Sequence, residues 1–239
     1  MRYLRSVSWV FEQKDWPITL LCLAVASLVP LAGPVAVNGY QAAVAVELGR
    51  ASGREQVGPF DLNALVSYLM TGLRLFLVGL AASVALIPLV FAGIAGLGLV
   101  TALVSATAAH PGANPGPLLA VVLVAGGLLL ATVMVGVTSL VAPLWLRAAH
   151  LEEIAAAYDF AFCRDFWRRV GWASVACHFG MAGIAIVLFA LGILCCFVGI
   201  FPAMALVFLA QAHLYAQLYR LYLERGGTPI AAAPPSAIS

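Results

Sequence analysis

Among the polar side chains inside stretches of this sequence that carry no charge, eight are candidates for chemistry: Asn38, Gln41, Thr132, Thr138, His178, Gln211, His213 and Gln217. A polar group held in an apolar setting is costly, so each needs a partner or a task. Gln211, His213 and Gln217 fall within two turns of one helix, and with His178 they form the set whose chemistry could relay protons or line a polar path. The same residue types also hydrogen-bond one helix to another, at about 0.6 kcal/mol each. A transporter ordinarily adds a carboxylate or a cation at mid-depth, and these stretches contain neither.

Other chemistries are poorly served. His178 and His213, with Cys177 beside the first, are the candidate metal ligands at membrane depth, and they lack His-x-x-x-His or Cys-x-x-Cys spacing. Cys22, Cys177, Cys195 and Cys196 sit in apolar runs as small hydrophobes, Cys163 is juxtamembrane, and no disulfide framework follows. Gly93, Gly96 and Gly98 fall inside an apolar run, where glycines permit close helix packing rather than phosphate binding. Asp15, Asp61, Asp159 and Asp165 lie at the edges of the apolar runs, so neither a Ser-His-Asp triad nor a carboxylate pair assembles. No enzyme activity, cofactor, metal or nucleic-acid partner is expected.

The elements that must position these residues are membrane helices. Hydrophobic residues make up 64% of the chain and charged residues 9%, against roughly 25% in ordinary soluble domains, so a soluble fold could not be covered. Trp16–Val46, Leu75–Leu146 and Val170–Tyr219 are free of Asp, Glu, Lys and Arg over 31, 72 and 50 residues. One crossing needs about 20 residues, so the second and third stretches must each turn back. The breakers from Ala109 to Pro117 put one turn between a helix ending near Thr107 and another starting near Leu118; the other falls near Cys195–Pro202. Nothing alternates with period two, which excludes a barrel.

Two arrangements of the first stretch stay open. If Trp16–Val37 is a single span, Arg2, Arg5 and Lys14 lie opposite the other nine basic residues. If Pro30–Pro34 is a turn, all twelve share one side. The positive-inside rule favours this hairpin, although arms of about 15 residues reach only about 22 Å. A cleavable signal peptide competes for the N-terminus through Ala24-Val25-Ala26, but the polar lead is long and the apolar run continues past that site.

The charged segments have patterns of their own. Asp61 reads as the N-cap of a helix that runs through Leu62, Leu65, Leu69 and Leu73 into the membrane. Leu151–Arg169 reads as one continuous interfacial helix: Leu151, Ile154, Tyr158 and Phe162 form its apolar stripe, and Arg164, Arg168 and Arg169 face anionic headgroups. Trp167 is expected in the aromatic belt. Phe11-(four residues)-Trp16 recurs as Phe162-(four residues)-Trp167, a weak echo of duplication. From Gly226 to Ser239, Gly-Gly-Thr-Pro and then Ala-Pro-Pro composition predict a disordered tail behind a single membrane domain spanning 1–225.

In order and spacing, Phe11 and Trp16, Pro30 and Pro34, Gly39-Tyr40, Pro59-Phe60-Asp61, Gly72-Leu73, Pro143, Arg147-Ala148, Ala157-Tyr158-Asp159-Phe160 and Ala212-His213-Leu214-Tyr215-Ala216-Gln217 run through nearly the whole chain. This arrangement resembles the bacterial and archaeal membrane proteins grouped as domain of unknown function 4013. The chain departs from that pattern where a longer Leu-Pro-x-Trp-Asp element is usual and where Gly is usual at Ala216. The resemblance implies a multi-pass helical fold with an amphipathic cytoplasmic segment, and supplies no activity.

The sequence thus predicts an all-α, polytopic membrane helical bundle. It has five full spans, or four plus an N-terminal helical hairpin, with amphipathic interfacial helices. The expected place is the prokaryotic cytoplasmic membrane with the C-terminus cytoplasmic. The expected partners are membrane lipids and a protein partner or second copy. The leading role is a scaffold or accessory subunit, and the alternative is a small transporter or channel using Gln211, His213, Gln217 and His178.

Overall fold

The computed structural model describes residues 3–50, 56–107, 116–151, 153–195 and 197–230. The described chain is all α-helical: α1 (Tyr3–Glu12), α2 (Trp16–Ala26), α3 (Ala32–Arg50), α4 (Leu65–Thr107), α5 (Gly116–His150), α6 (Ile154–Ala157), α7 (Phe160–Leu194) and α8 (Ile200–Glu224). Four stretches are long and apolar enough to cross a bilayer, Leu62–Val84, Ala120–His150, Ile154–Leu194 and Ile200–Glu224, and Trp16–Ala26 and Val90–Leu103 add shorter apolar pieces. The chain is an integral membrane protein built as a helical bundle.

The first apolar stretch is a helical hairpin. With 11 residues, α2 reaches only about 16 Å, and the chain reverses over 27–31 before α3. Leu31 sits in the left-handed region at φ 63, and its neighbour Gly33 lies so close to the Ala26 carbonyl that any Cβ would collide with it. The α7–α8 turn also holds an apolar residue in that region, Phe197 at φ 65. Both side chains are exposed, at 85% and 67%, so each tip presents an apolar group to its surroundings.

The long helices meet by close approach of their backbones as well as by side-chain packing. A Cβ at Gly39 would strike the Tyr68 carbonyl oxygen, and one at Gly72 would strike that of Val35, so α3 and α4 cross with no room for a side chain between them. At the centre, α8 packs against α1, α2, α3, α5 and α7 and buries twelve residues from Ala205 to Tyr222. The ends of α3 and α8 lie together, with Gly49 against the Tyr219 ring and the Arg220 guanidinium donating to the Leu48 carbonyl. His150 at the end of α5 packs on Tyr219, and Asp165 near the start of α7 accepts from the Tyr222 hydroxyl at 2.9 Å. Charged ends from four helices thereby collect in one place.

The structure matches the expected Asp61 cap, whose carboxylate accepts from the Asn63 N–H at 2.9 Å. The break after Leu194 is also found, whereas the helix end expected near Thr107 and the turn at 109–117 fall at the edge of or outside the described residues. The segment 151–169 differs from expectation. It is two helices rather than one, interrupted at Tyr158 and Asp159, because the Asp159 carboxylate caps α7 by accepting from the N–H groups of Ala161 (2.9 Å) and Phe162 (3.0 Å). The proposed tail also begins folded. Ile230 is buried, its N–H donates to the Tyr219 hydroxyl, and the Thr228 N–H donates to that of Tyr222. Residues 231–239 lie outside the described residues.

Candidate functional site

The four residues singled out as a polar cluster form two separate groups on different sides of α8. His213 and Gln217 face α1: the His213 Nδ1 lies 3.0 Å from Ser6 Oγ, and the Gln217 amide reaches Ser6 Oγ at 3.2 Å and His213 Nδ1 at 3.0 Å. Trp9 stacks on the His213 ring at 4.8 Å and is itself 1% exposed. This group clamps the amphipathic N-terminal helix onto α8. Sequence reading missed Ser6 and Trp9, because their partner lies more than 200 residues away and nothing local marks them.

The second group faces α7. His178 Nδ1 meets the Ser174 carbonyl at 2.8 Å, its Nε2 lies 3.3 Å from the Tyr215 hydroxyl, and Gln211 donates to that hydroxyl at 3.1 Å. The space left beside His178, Gln211 and Tyr215 is about 10 Å³, the room of a single water. On the side facing His178 the second group leaves no room for a substrate. Thr132 and Thr138 bond to carbonyls of their own helix, of Leu128 and Val135 at 2.8 and 2.9 Å.

The charged motifs also close on themselves. The Arg147 guanidinium donates twice to the Ala156 carbonyl (3.0 and 2.8 Å), pairs with Asp159 at 3.3 Å and lies over the Phe162 ring at 5.0 Å. One side chain thus fastens the end of α5 to α6 and the start of α7. In the same way, Tyr40 donates to the Gly58 carbonyl at 2.8 Å and packs edge-on against Phe60 and Tyr68, beside the Gly39–Gly72 crossing. The short motifs strung along the sequence are therefore the clasps of the tertiary fold.

The cationic end of α7 divides. The Arg169 Nε–H donates to both Asp165 carboxylate oxygens at 2.9 Å, and the same guanidinium donates to the Arg225 carbonyl, so it ties α7 to α8. Trp167 is half-buried against the core rather than set in an outer belt. Arg164 and Arg168 are exposed, and above and below them stand Phe160, 79% exposed, and Trp172, 89% exposed. These four recur every fourth residue over about 18 Å of helix, and Trp172 rather than Trp167 is its outward aromatic.

No family model, curated protein or solved structure matches this chain. Among the described residues, no group of three or more His, Cys, Asp or Glu could hold a metal.

A lateral groove of about 790 Å³ lies between α3, α4, α5 and α8 and opens to the surroundings. Its walls are apolar, and its floor carries Asn38, Gln41, Gln211, Trp145 and Tyr215. The Trp145 indole N–H donates to Asn38 Oδ1 at 3.3 Å, and Gln211 and Tyr215 are held as described above. Gln41 is only 4% exposed, and its amide has no hydrogen-bond partner among the described residues. Asn38, Gln41 and Gln211 stood out in the sequence as uncharged polar residues in apolar runs, yet nothing there placed them in one groove.

Proposed function

We propose that this protein is a non-catalytic scaffold or accessory subunit of a membrane complex. The observation that supports this is the state of the α4–α5 arm. From Gly79 to Ala106 and from Ala120 to Thr138, none of the described side chains is buried. A Cβ at Gly79, Gly93, Gly96, Gly98, Gly127 or Gly136 would meet nothing within 4 Å. In lipid, exposed small residues let a second helix bring its backbone close, which is how membrane helices recognise each other when hydrophobicity cannot discriminate. On this reading the arm packs against helices of another subunit or a second copy. Phe160, Arg164, Arg168 and Trp172 anchor the base of α7 among lipid headgroups, with Arg164 and Arg168 each contributing about 1 kcal/mol near an anionic surface.

The place proposed for it is the prokaryotic cytoplasmic membrane with the C-terminus cytoplasmic. The gathering of the basic ends of α3, α5, α7 and α8 supports that orientation. Membership of the domain of unknown function 4013 family belongs to the same proposal and rests on the order of the short motifs.

Purification from native membranes into nanodiscs tests the scaffold reading. The expected result is a stoichiometric partner or a homo-oligomer, lost when Gly93, Gly96 and Gly127 are changed together to Leu while the thermal unfolding temperature holds. A lone chain in the wild-type preparation would sink the proposal.

A further inference from the structure

We infer that the lateral groove binds a neutral glycerolipid, taking a hydroxyl-and-ester head such as that of diacylglycerol onto the floor set by Gln41, Asn38 and Tyr215. The argument begins with Gln41. An amide that reaches only an apolar groove and finds no partner there is less stable than a hydrogen-bonded one. Gln41 is 96% shielded, lines the groove, and finds no partner among the described residues. A group arriving through the groove would supply one. The groove's volume, about 790 Å³, lies within the range of sites that hold small ligands.

The chemistry of the floor selects the head. Gln41 offers two donors and an acceptor. Asn38 commits its oxygen to Trp145 and keeps donors on its nitrogen. Tyr215, fixed between Gln211 and His178, presents a hydroxyl. Ester carbonyls suit the amide donors, and a free hydroxyl suits a glutamine amide that can both give and receive. No lining residue carries a charge. The nearest cation on α4, Arg74, turns to the Met70 and Leu151 carbonyls at 3.3 and 3.4 Å, so a phosphate would enter the groove without a counter-charge. The walls select the tail. Leu31, Val35, Met70, Leu73, Phe76 and Phe208 form an apolar mouth from which acyl chains can continue into the surrounding lipid.

The test uses the full chain in phosphatidylcholine vesicles carrying either a photoactivatable, clickable diacylglycerol or the phosphatidic acid with the same chains. The diacylglycerol probe is expected to label peptides covering 31–41, 69–76 and 208–215, well above phosphatidic acid. Gln41→Leu should lower that labelling about fivefold or more, the effect of one buried hydrogen bond, without loss of thermal stability. Met70→Trp fills the mouth and leaves the polar floor intact; it should reduce labelling as strongly, which keeps the test sound if the first variant misfolds. Equal labelling by the two probes, or labelling spread along α4 and α5 that neither variant changes, would overturn the inference. Loss of the protein partner described above leaves these outcomes untouched, because the arm and the groove share none of the substituted residues.

Discussion

Apolar helices make up both the packed bundle around α8 and the bare α4–α5 arm, yet the two regions are held in their places by different physics. Around α8, backbones touch at Gly39 and Gly72, rings interlock at Tyr40, Phe60 and Tyr68, and polar pairs close between helices far apart in sequence. Along the arm, Ser83, Thr101, Ser105, Thr132, Thr138 and Ser139 all bond back to carbonyls of their own helix. Gly79, Gly93, Gly96, Gly98, Gly127 and Gly136 there face open space, and Gly126 meets only the Leu97 side chain of the neighbouring arm helix. The difference shows that apolar character does not decide which helices pack in a membrane. Lipid tails are as apolar as leucine, so pairing follows from close approach and from hydrogen bonds that cross between helices.

The comparison can be broken most sharply with glycine. Gly72→Leu drives a side chain into the Val35 carbonyl, and a cost of at least about 3 kcal/mol should remove the monodisperse peak in size-exclusion chromatography. Recovery of folded Gly72→Leu protein at wild-type yield would mean that α3 and α4 do not cross there. Next in size is Trp9→Ala, which empties a buried stacking site against His213 and should cost about 3 kcal/mol, read as a lower melting temperature in detergent. An unchanged melting temperature would detach α1 from the bundle.

A smaller effect is expected at the junction between the two regions. Asp159→Ala removes the α7 cap and the partner of Arg147, and should lower stability by about 1–2 kcal/mol. Asp159→Asn keeps the cap and should recover most of it; equal loss in both variants would show that the ion pair, not the cap, matters. The smallest effect belongs to the arm. Gly93→Ala and Gly96→Ala meet no atom of the chain and should leave the melting temperature unchanged or raise it by up to about 1 kcal/mol of stability. A loss there comparable to Gly72→Leu would place the arm inside the packed core and erase the contrast.

The sequence by itself determined the class, the turn near Cys195–Pro202 and one cap. Long charge-free stretches leave a backbone no choice in lipid but helices, the 50-residue stretch Val170–Tyr219 is too long for one crossing and turns near Cys195–Pro202, and Asp61 satisfies the N–H two residues away. Each of these is a local or compositional constraint. The tertiary structure alone decided that His213 and Gln217 serve α1 while Gln211 and His178 serve α7, that Trp172 faces outward while Trp167 turns in, that Asp159 splits 151–169, and that Gln41 ends unpartnered beside a groove. In water, the periodicity of apolar residues tells which face of a helix is buried. In a membrane both faces are apolar, so the pattern loses that information, and the partner of each polar side chain is settled only when the helices meet.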